Sequence, residues 1–191
     1  MIEIKATTFD DVPTIVELHY KAYNKSHFTS VLSSEMLTLY YHEFLKRNKI
    51  CFLGYINGTP AGFVLGGEDV DTPLSLLISK HKVGIILTLL QNPRFIVEKI
   101  SDAVLNNLFP PKKSAEKIIL LSIAVDPAFQ RHKLGSVLVA KFEEGVKNQG
   151  SSSYALFVRK NNSKALSFYQ KSGFAIENNY RQSFSMVKVL K

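Results

Sequence analysis

Cysteine is almost missing from this 191-residue chain, whose single thiol, Cys51, lies in the apolar stretch ICFLGY. One thiol excludes an internal disulfide framework, points to a reducing compartment, and reads as a buried structural residue rather than a nucleophile. Long apolar runs are also missing. Val83 to Leu90 (VGIILTLL) comes nearest to a membrane span, yet it falls well short of the roughly 18 to 20 residues that cross a bilayer. The opening MIEIKATTFDD has no basic segment followed by an apolar core, so no signal peptide and a cytoplasmic location are expected. Internal repeats, low-complexity segments and known nucleic-acid motifs are absent too.

What the chain does have is a globular composition, 46% hydrophobic and 21% charged, consistent with one domain over residues 1–191 and a sizeable core. The formal net charge of +8 favours a phosphate-bearing partner or a solvated basic surface, and charge alone does not choose between them. Basic residues are scattered, in short runs such as Lys112-Lys113. No nucleic-acid partner is therefore expected.

Ile2, Ile4 and Ala6 alternate with polar residues as a half-buried strand does. Asp10 and Asp11 before Val12-Pro13 open a helix carrying Ile15, Val16, Leu18, His19 and Ala22 at helical spacing. Ser33 or Ser34 caps a second helix with Met36, Leu37, Tyr40, Tyr41, Phe44 and Leu45 on one face. Ile50 to Ile56, the Asn57-Gly58 turn and Ala61 to Leu65 form a hairpin. Residues 70–115 read as a helical insertion, with helices over Ser75 to Leu90 and Phe95 to Leu108. It is expected to pack on the sheet or a second subunit, and Lys80, Lys82, Arg94 and Lys99 among large aliphatics also suit membrane-surface association through 75–108. Lys117 to Val125 (KIILLSIAV) reads as a central strand. Then come a helix over Leu134 to Lys147, a strand over Ser153 to Val158, a helix over Ser163 to Lys171, and strands over Phe174 to Ile176 and Phe184 to Leu190.

The chemistry concentrates where the central strand hands over to a helix, in VDPAFQRHKLGS from Val125 to Ser136. A helix N-terminus presents unpaired N–H groups and partial positive charge, so a loop that folds its amides around an anion makes a phosphate site there. Gly135 permits close approach; Gln130, Arg131, His132 and Lys133 add donors or charge, and Ser136 a hydroxyl. A pyrophosphate suits such a cradle. Further on, VRKNNSKALSFYQKSGF runs from Val158 to Phe174.

Together these segments resemble the GNAT N-acetyltransferase family, over about 60 residues. Val125, Pro127, Gln130, Arg131, Leu134, Gly135 and Ser136 match one family motif; Asn162, Ala165, Phe168, Tyr169, Gly173 and Phe174 match another. The departure is Lys133, which stands where the motif has its first glycine. If that position needs positive φ, lysine costs about 1 kcal/mol or more; tolerance is expected, the lysine adding charge near the phosphates.

The resemblance implies an α/β (α+β) fold, a mixed six- to seven-stranded sheet flanked by helices with the helical insertion between strands 3 and 4, and an acetyl-CoA-binding core over 116–178. It implies acetyl-CoA as co-substrate, no metal, and transfer to a primary amine. Ile123, Ala124 and Val125 would offer backbone N–H groups to the pantetheine and thioester, Arg131, His132, Lys133, Leu134, Gly135 and Ser136 would hold the pyrophosphate, and Asn162 would hydrogen-bond the cofactor. Tyr169 sits where the family often places the acid that protonates the departing thiolate. The glutamate base of the branch that acetylates ribosomal protein N-termini is replaced by Phe157; Glu68, His19, His27 and His42 remain as bases. The acceptor site is expected from the 24–34 loop, the second helix and the insertion. The insertion resembles acetyltransferases of bacterial surface-polysaccharide synthesis, which suggests an amino sugar. A protein or peptide amine, a polyamine, a CoA-binding module without chemistry, and a basic nucleic-acid or membrane-surface protein are the alternatives. The final strand and the apolar insertion suggest a homodimer.

Overall fold

The computed structural model describes residues 1–23, 27–48, 50–97 and 114–190. Strand β1 (Ile2–Ala6) leads through a 3-10 turn (Phe9–Asp11) into α1 (Val12–Ala22), and α2 (Ser34–Arg47) follows. Strands β2 (Ile50–Ile56) and β3 (Thr59–Gly67) form the hairpin. Helices α3 (Thr72–Lys80) and α4 (Lys82–Gln91) precede β4 (Ile119–Val125), α5 (Leu134–Asn148), β5 (Ser153–Arg159), α6 (Ser163–Lys171), β6 (Ala175–Asn179) and β7 (Ser183–Val189). The seven-stranded sheet has the order β1-β2-β3-β4-β5-β7-β6. Every neighbouring pair is antiparallel except β4 and β5.

Alternation along the strands divides the core in two. Leu53, Phe63, Leu65 and Ala124 face α1 and α2, meeting Ile15, Leu37, Tyr41 and Phe44. Ile50, Val64, Leu120 and Leu156 face α5, meeting Leu138, Phe142 and Val146. Ser33 caps α2, its hydroxyl accepting from Met36 N–H at 3.3 Å. Cys51 is buried, and burial pushes its thiol up to about 12, which keeps it protonated and inert.

The insertion between β3 and β4 departs from the single helix expected over Ser75 to Leu90. It breaks at His81 into α3 and α4, which are bent by 95° to one another. The second expected helix, Phe95 to Leu108, lies mostly outside the described residues. Leu77 and Ile85 anchor the pair in the core, while Val83, Ile86, Leu87 and Leu90 remain exposed on α4. Among the described residues no single helix is long and apolar enough to cross a membrane. The final strand β7 lies between β5 and β6, so over Phe184–Val187 its backbone is paired on both sides and presents no free sheet edge.

Candidate active site

The site originates in a failure of pairing. Parallel strands β4 and β5 share only Ile119↔Ala155 and Leu120↔Leu156 in register; beyond these the strands diverge. Divergence coincides with a bulge in β4: Leu65 faces Ser122 while Gly66 faces Leu120, leaving Leu121 as the extra residue. A bulge bends and twists its strand, here away from β5. The opening is a cleft of about 550 Å³, lined on one side by His19, Tyr23, Tyr40 and Tyr41 and on the other by Phe157, Asn162, Ala165 and Tyr169.

Strand alternation decides which β4 amides face this gap. Asp126 N–H donates to Ala61 O at 2.8 Å, and the register pairs Ala124 with Phe63 and Val125 with Gly62. In an antiparallel ladder every second residue bonds the neighbouring strand. Ala124 therefore spends its N–H on β3, whereas Ile123 and Val125 turn theirs toward the gap. Of the three strand residues expected to offer amides, Ile123 and Val125 face the gap and Ala124 does not.

The turn before α5 shows how an L-amino acid replaces the motif glycine. Lys133 has φ 62° and Arg131 φ 69°, so both occupy the left-handed region, at a cost of roughly 1–2 kcal/mol each. Among the described residues the backbone N–H groups of residues 131–135 meet no backbone acceptor in hydrogen-bond geometry, and the first bonded amide of the helix is Ser136 N–H, donating to Lys133 O at 3.1 Å. A row of amides at a helix N-terminus, set by left-handed residues, is an anion cradle. Ser136 thus contributes less than expected, its N–H being spent in the first turn. His132 also differs: its Nδ1 lies 3.1 Å from both the Phe129 and Gln130 carbonyls, so it carries the hydrogen, and the ring ties the turn to itself. The turn is anchored by Asp126, whose carboxylate accepts from Ala128 N–H at 2.9 Å and lies 3.6 Å from Lys21 Nζ.

Gly135 separates folding need from ligand need. A Cβ there would meet Phe168 at 3.5 Å and 3.7 Å, ordinary contact, so the fold does not demand glycine. Its other neighbour, Val125, and Phe168 on α6 bring the amide row beside the cleft wall that carries Asn162 and Tyr169. Asn162 caps α6, its Oδ1 accepting from Ala165 N–H at 3.1 Å, which leaves Nδ2 as its donor. Tyr169 is buried, and desolvation together with the nearby Tyr23 phenol holds its hydroxyl well above the usual range. It stays protonated at working pH but is a weaker acid than an ordinary phenol.

The proposed bases separate. Glu68 lies in another hollow, with Arg47, Asn48 and Gln149, and His42 stacks on Phe9 at 5.6 Å; neither lines the cleft. His19 and His27 do. His19 bonds Tyr41 Oη through Nδ1 at 2.7 Å, and its buried Nε2 has no protein partner. Burial, helped by His27, lowers its pKa to about 4, so it is neutral at pH 7. None of the described cleft-lining residues is a carboxylate, and no group of metal-binding side chains occurs among the described residues.

Sequence reasoning missed two residues at the centre of the cleft. The hydroxyls of Tyr23, at the end of α1, and Ser122, on β4, lie 2.7 Å apart. Ser122 did carry a signal: it is the one polar side chain inside the apolar run Ile118 to Val125, where a polar group needs a partner. Tyr23 carried none, being one more aromatic near a helix end.

The chain matches the sequence profile of the acetyltransferase (GNAT) family over residues 14–174, and it belongs to that family. It is similar to the spermidine N(1)-acetyltransferase of Thermoplasma acidophilum, 32% identical over 88 residues, which are 46% of this chain and 55% of that protein. The match thus spans about half the length of that relative. Its fold is similar to that of the PaiA N-acetyltransferase of Thermoplasma acidophilum in complex with coenzyme A, with TM-score 0.59 and 19% identity, covering 99% of each chain. A GNAT-family acetyltransferase of Streptococcus pneumoniae is similar at TM-score 0.59 and 18% identity over 100% of both chains.

Two substitutions in the turn are expected to act oppositely. Lys133→Gly relieves a left-handed residue and should stabilise the fold by about 1 kcal/mol, raising Tm by about 2–4 °C in a thermal melt. Gly135→Ala should melt no lower than the parent yet bind acetyl-CoA at least about 10-fold more weakly by calorimetry, because the methyl group obstructs the amide row.

His19 supplies an acid sensitivity. Its folded pKa lies below the unfolded value, so its contribution to stability is present above pH 6.5 and is lost as pH falls toward 4. About 2 kcal/mol should be gone by pH 5. Denaturant melts at pH 7 and pH 5 should show a smaller loss for His19→Gln than for the parent.

Proposed function

We propose that this chain is an acetyl-CoA-dependent N-acetyltransferase acting on a small primary amine, a single domain whose 116–178 segment binds the donor. The observation that carries this reading is the cleft opened by β4 and β5 beside the unpaired amides of residues 131–135. The amide row suits a pyrophosphate, with Arg131 and Lys133 adding charge. Ile123 and Val125 offer N–H groups to the pantetheine arm and the thioester carbonyl, whose developing negative charge they would stabilise. Asn162 Nδ2 offers a further donor, and Tyr169, which lines the same cleft, would protonate the sulfur.

The described lining of the cleft argues for the kind of amine. It holds Arg159, His19 and His27 but no carboxylate, so a polyamine would find no counter-charge there, in contrast to what the name of the spermidine-acetylating relative suggests. Hydroxyls from Thr29, Tyr40 and Tyr41, together with the Phe157 ring, suit an uncharged, hydroxylated amine such as an amino sugar. Phe157 occupies the position of the base used on ribosomal protein N-termini, which weighs against a peptide acceptor.

Acetyl-CoA should raise Tm by several degrees at about 100 times its Kd, equivalent to about 2.7 kcal/mol, while pyrophosphate or sulfate at the same concentration should not. CoA release over a panel of glucosamine, spermidine, lysine and an alanine-initiated peptide should then be fastest with glucosamine. Stabilisation without release on any amine would make the chain a CoA-binding module.

A further inference from the structure

Accepting the acetyltransferase reading, the cleft lacks a feature the reaction is expected to need. The attacking amine must lose a proton, yet the described lining has no carboxylate, and His19 and His27 are its only imidazoles. His19 is engaged with Tyr41 and held neutral by burial and by His27. The same cleft wall carries a pair of hydroxyls in mutual contact, those of Tyr23 and Ser122. Tyr23 Oη lies 2.7 Å from Ser122 Oγ and 3.5 Å from the carbonyl oxygen of Ile123, a residue whose backbone faces the gap. The Tyr23 ring is clamped between His19 at 4.6 Å and His27 at 4.9 Å between ring centroids. Ser122 directly follows the β4 bulge. Either hydroxyl can donate to the other. In both arrangements the mutual bond uses one hydrogen and leaves the second for an outside acceptor, while lone pairs remain for an outside donor.

We infer that the Tyr23–Ser122 hydroxyl pair is a proton relay that removes the amine proton and passes one onward to the departing sulfur. The amine lone pair forms the C–N bond, and the C–S bond breaks with its electron pair going to sulfur. An N–H proton of the amine moves to Ser122 Oγ as the Ser122 hydrogen crosses to Tyr23 Oη. The Tyr23 hydrogen passes by way of solvent in the cleft to Tyr169, which lines the same cleft, and replaces the one that Tyr169 gives to sulfur. Each hydroxyl ends with the hydrogen count it began with, so no separate base is consumed. His19 and His27 are positioning residues here, acting through the Tyr23 ring.

The test uses the full chain with the amine turned over fastest in the panel above. Ser122→Ala and Tyr23→Phe should each lower kcat about 10- to 100-fold, with the amine KM and the thermal shift by acetyl-CoA unchanged. The double variant should be no slower than the slower single variant, since the hydroxyls act as one unit, and Ser122→Thr should recover most of the loss. An unchanged kcat in Ser122→Ala, multiplying losses in the double variant, or a change confined to amine KM would each overturn the relay while leaving the enzyme reading standing. If the parent is stabilised by acetyl-CoA but releases CoA with no amine, the enzyme reading fails and the relay with it.

Discussion

The early end of the β4–β5 pairing is the constraint on which the rest of the molecule depends. Two residues of parallel register hold the strands together at Ile119 and Leu120, and the bulge at Leu121 then turns β4 outward. Backbone groups buried without partners cost free energy, so a gap of this kind survives only where water or a ligand satisfies the exposed edge. Both walls are braced from outside the gap. β4 is fixed by six register pairs to β3, and β5 by seven to β7. The opening is therefore a rigid product of the sheet, not a loop conformation. Helices α5 and α6 then pack so that Gly135 and Phe168 meet, which brings the anion cradle and the cleft wall together.

The left-handed pair Arg131 and Lys133 shows what the cradle costs. Glycine at either position would adopt this backbone without strain, and the chain instead spends roughly 1–2 kcal/mol at each. Strain of this kind persists only where surrounding structure fixes it. That structure is visible: His132 is held to two carbonyls of its own turn, and Asp126 ties the start of the turn to β3, to Ala128 and to Lys21. What the non-glycine residues add is positive charge beside an amide row that already favours an anion. At this position charge and backbone ease compete, and charge has been kept.

Much of the fold was legible because it is written in local periods. The alternation at Ile2 to Ala6, the helical stripe of α2 and the Asn57-Gly58 turn each specify their element without outside help. The turn that opens α5 was legible for the same reason, since proline, glycine and basic residues follow one another along the chain. The insertion was not: its break at His81 has no glycine or proline, and apolar residues continue on both sides of it. The acceptor side was illegible for a different reason. Tyr23 and Ser122 are separated by 99 positions, and they become a pair only because α1 lies across β4. His19, His27, His42 and Glu68 were equivalent as residues in a sequence, and only the sheet determines that two of them line the cleft and two do not.

The same separation explains how donor and acceptor chemistry divide over the molecule. On the proposed reading the donor side would be assembled from residues 123–136 and 162–169, contiguous stretches that would bind mainly through their backbone. The cleft wall proposed for the acceptor is built from side chains of α1, α2 and β4, with hydroxyls and rings in place of carboxylates among the described lining residues. A carboxylate in this enclosed, aromatic space would have its own pKa raised by desolvation, and it would attract the ammonium form of the amine, which cannot attack. Neutral hydroxyls carry no such penalty and place no demand on the charge of the amine. Among the described lining residues the cleft therefore suits a reaction in which a proton is passed between neutral hydroxyls without a carboxylate to hold it.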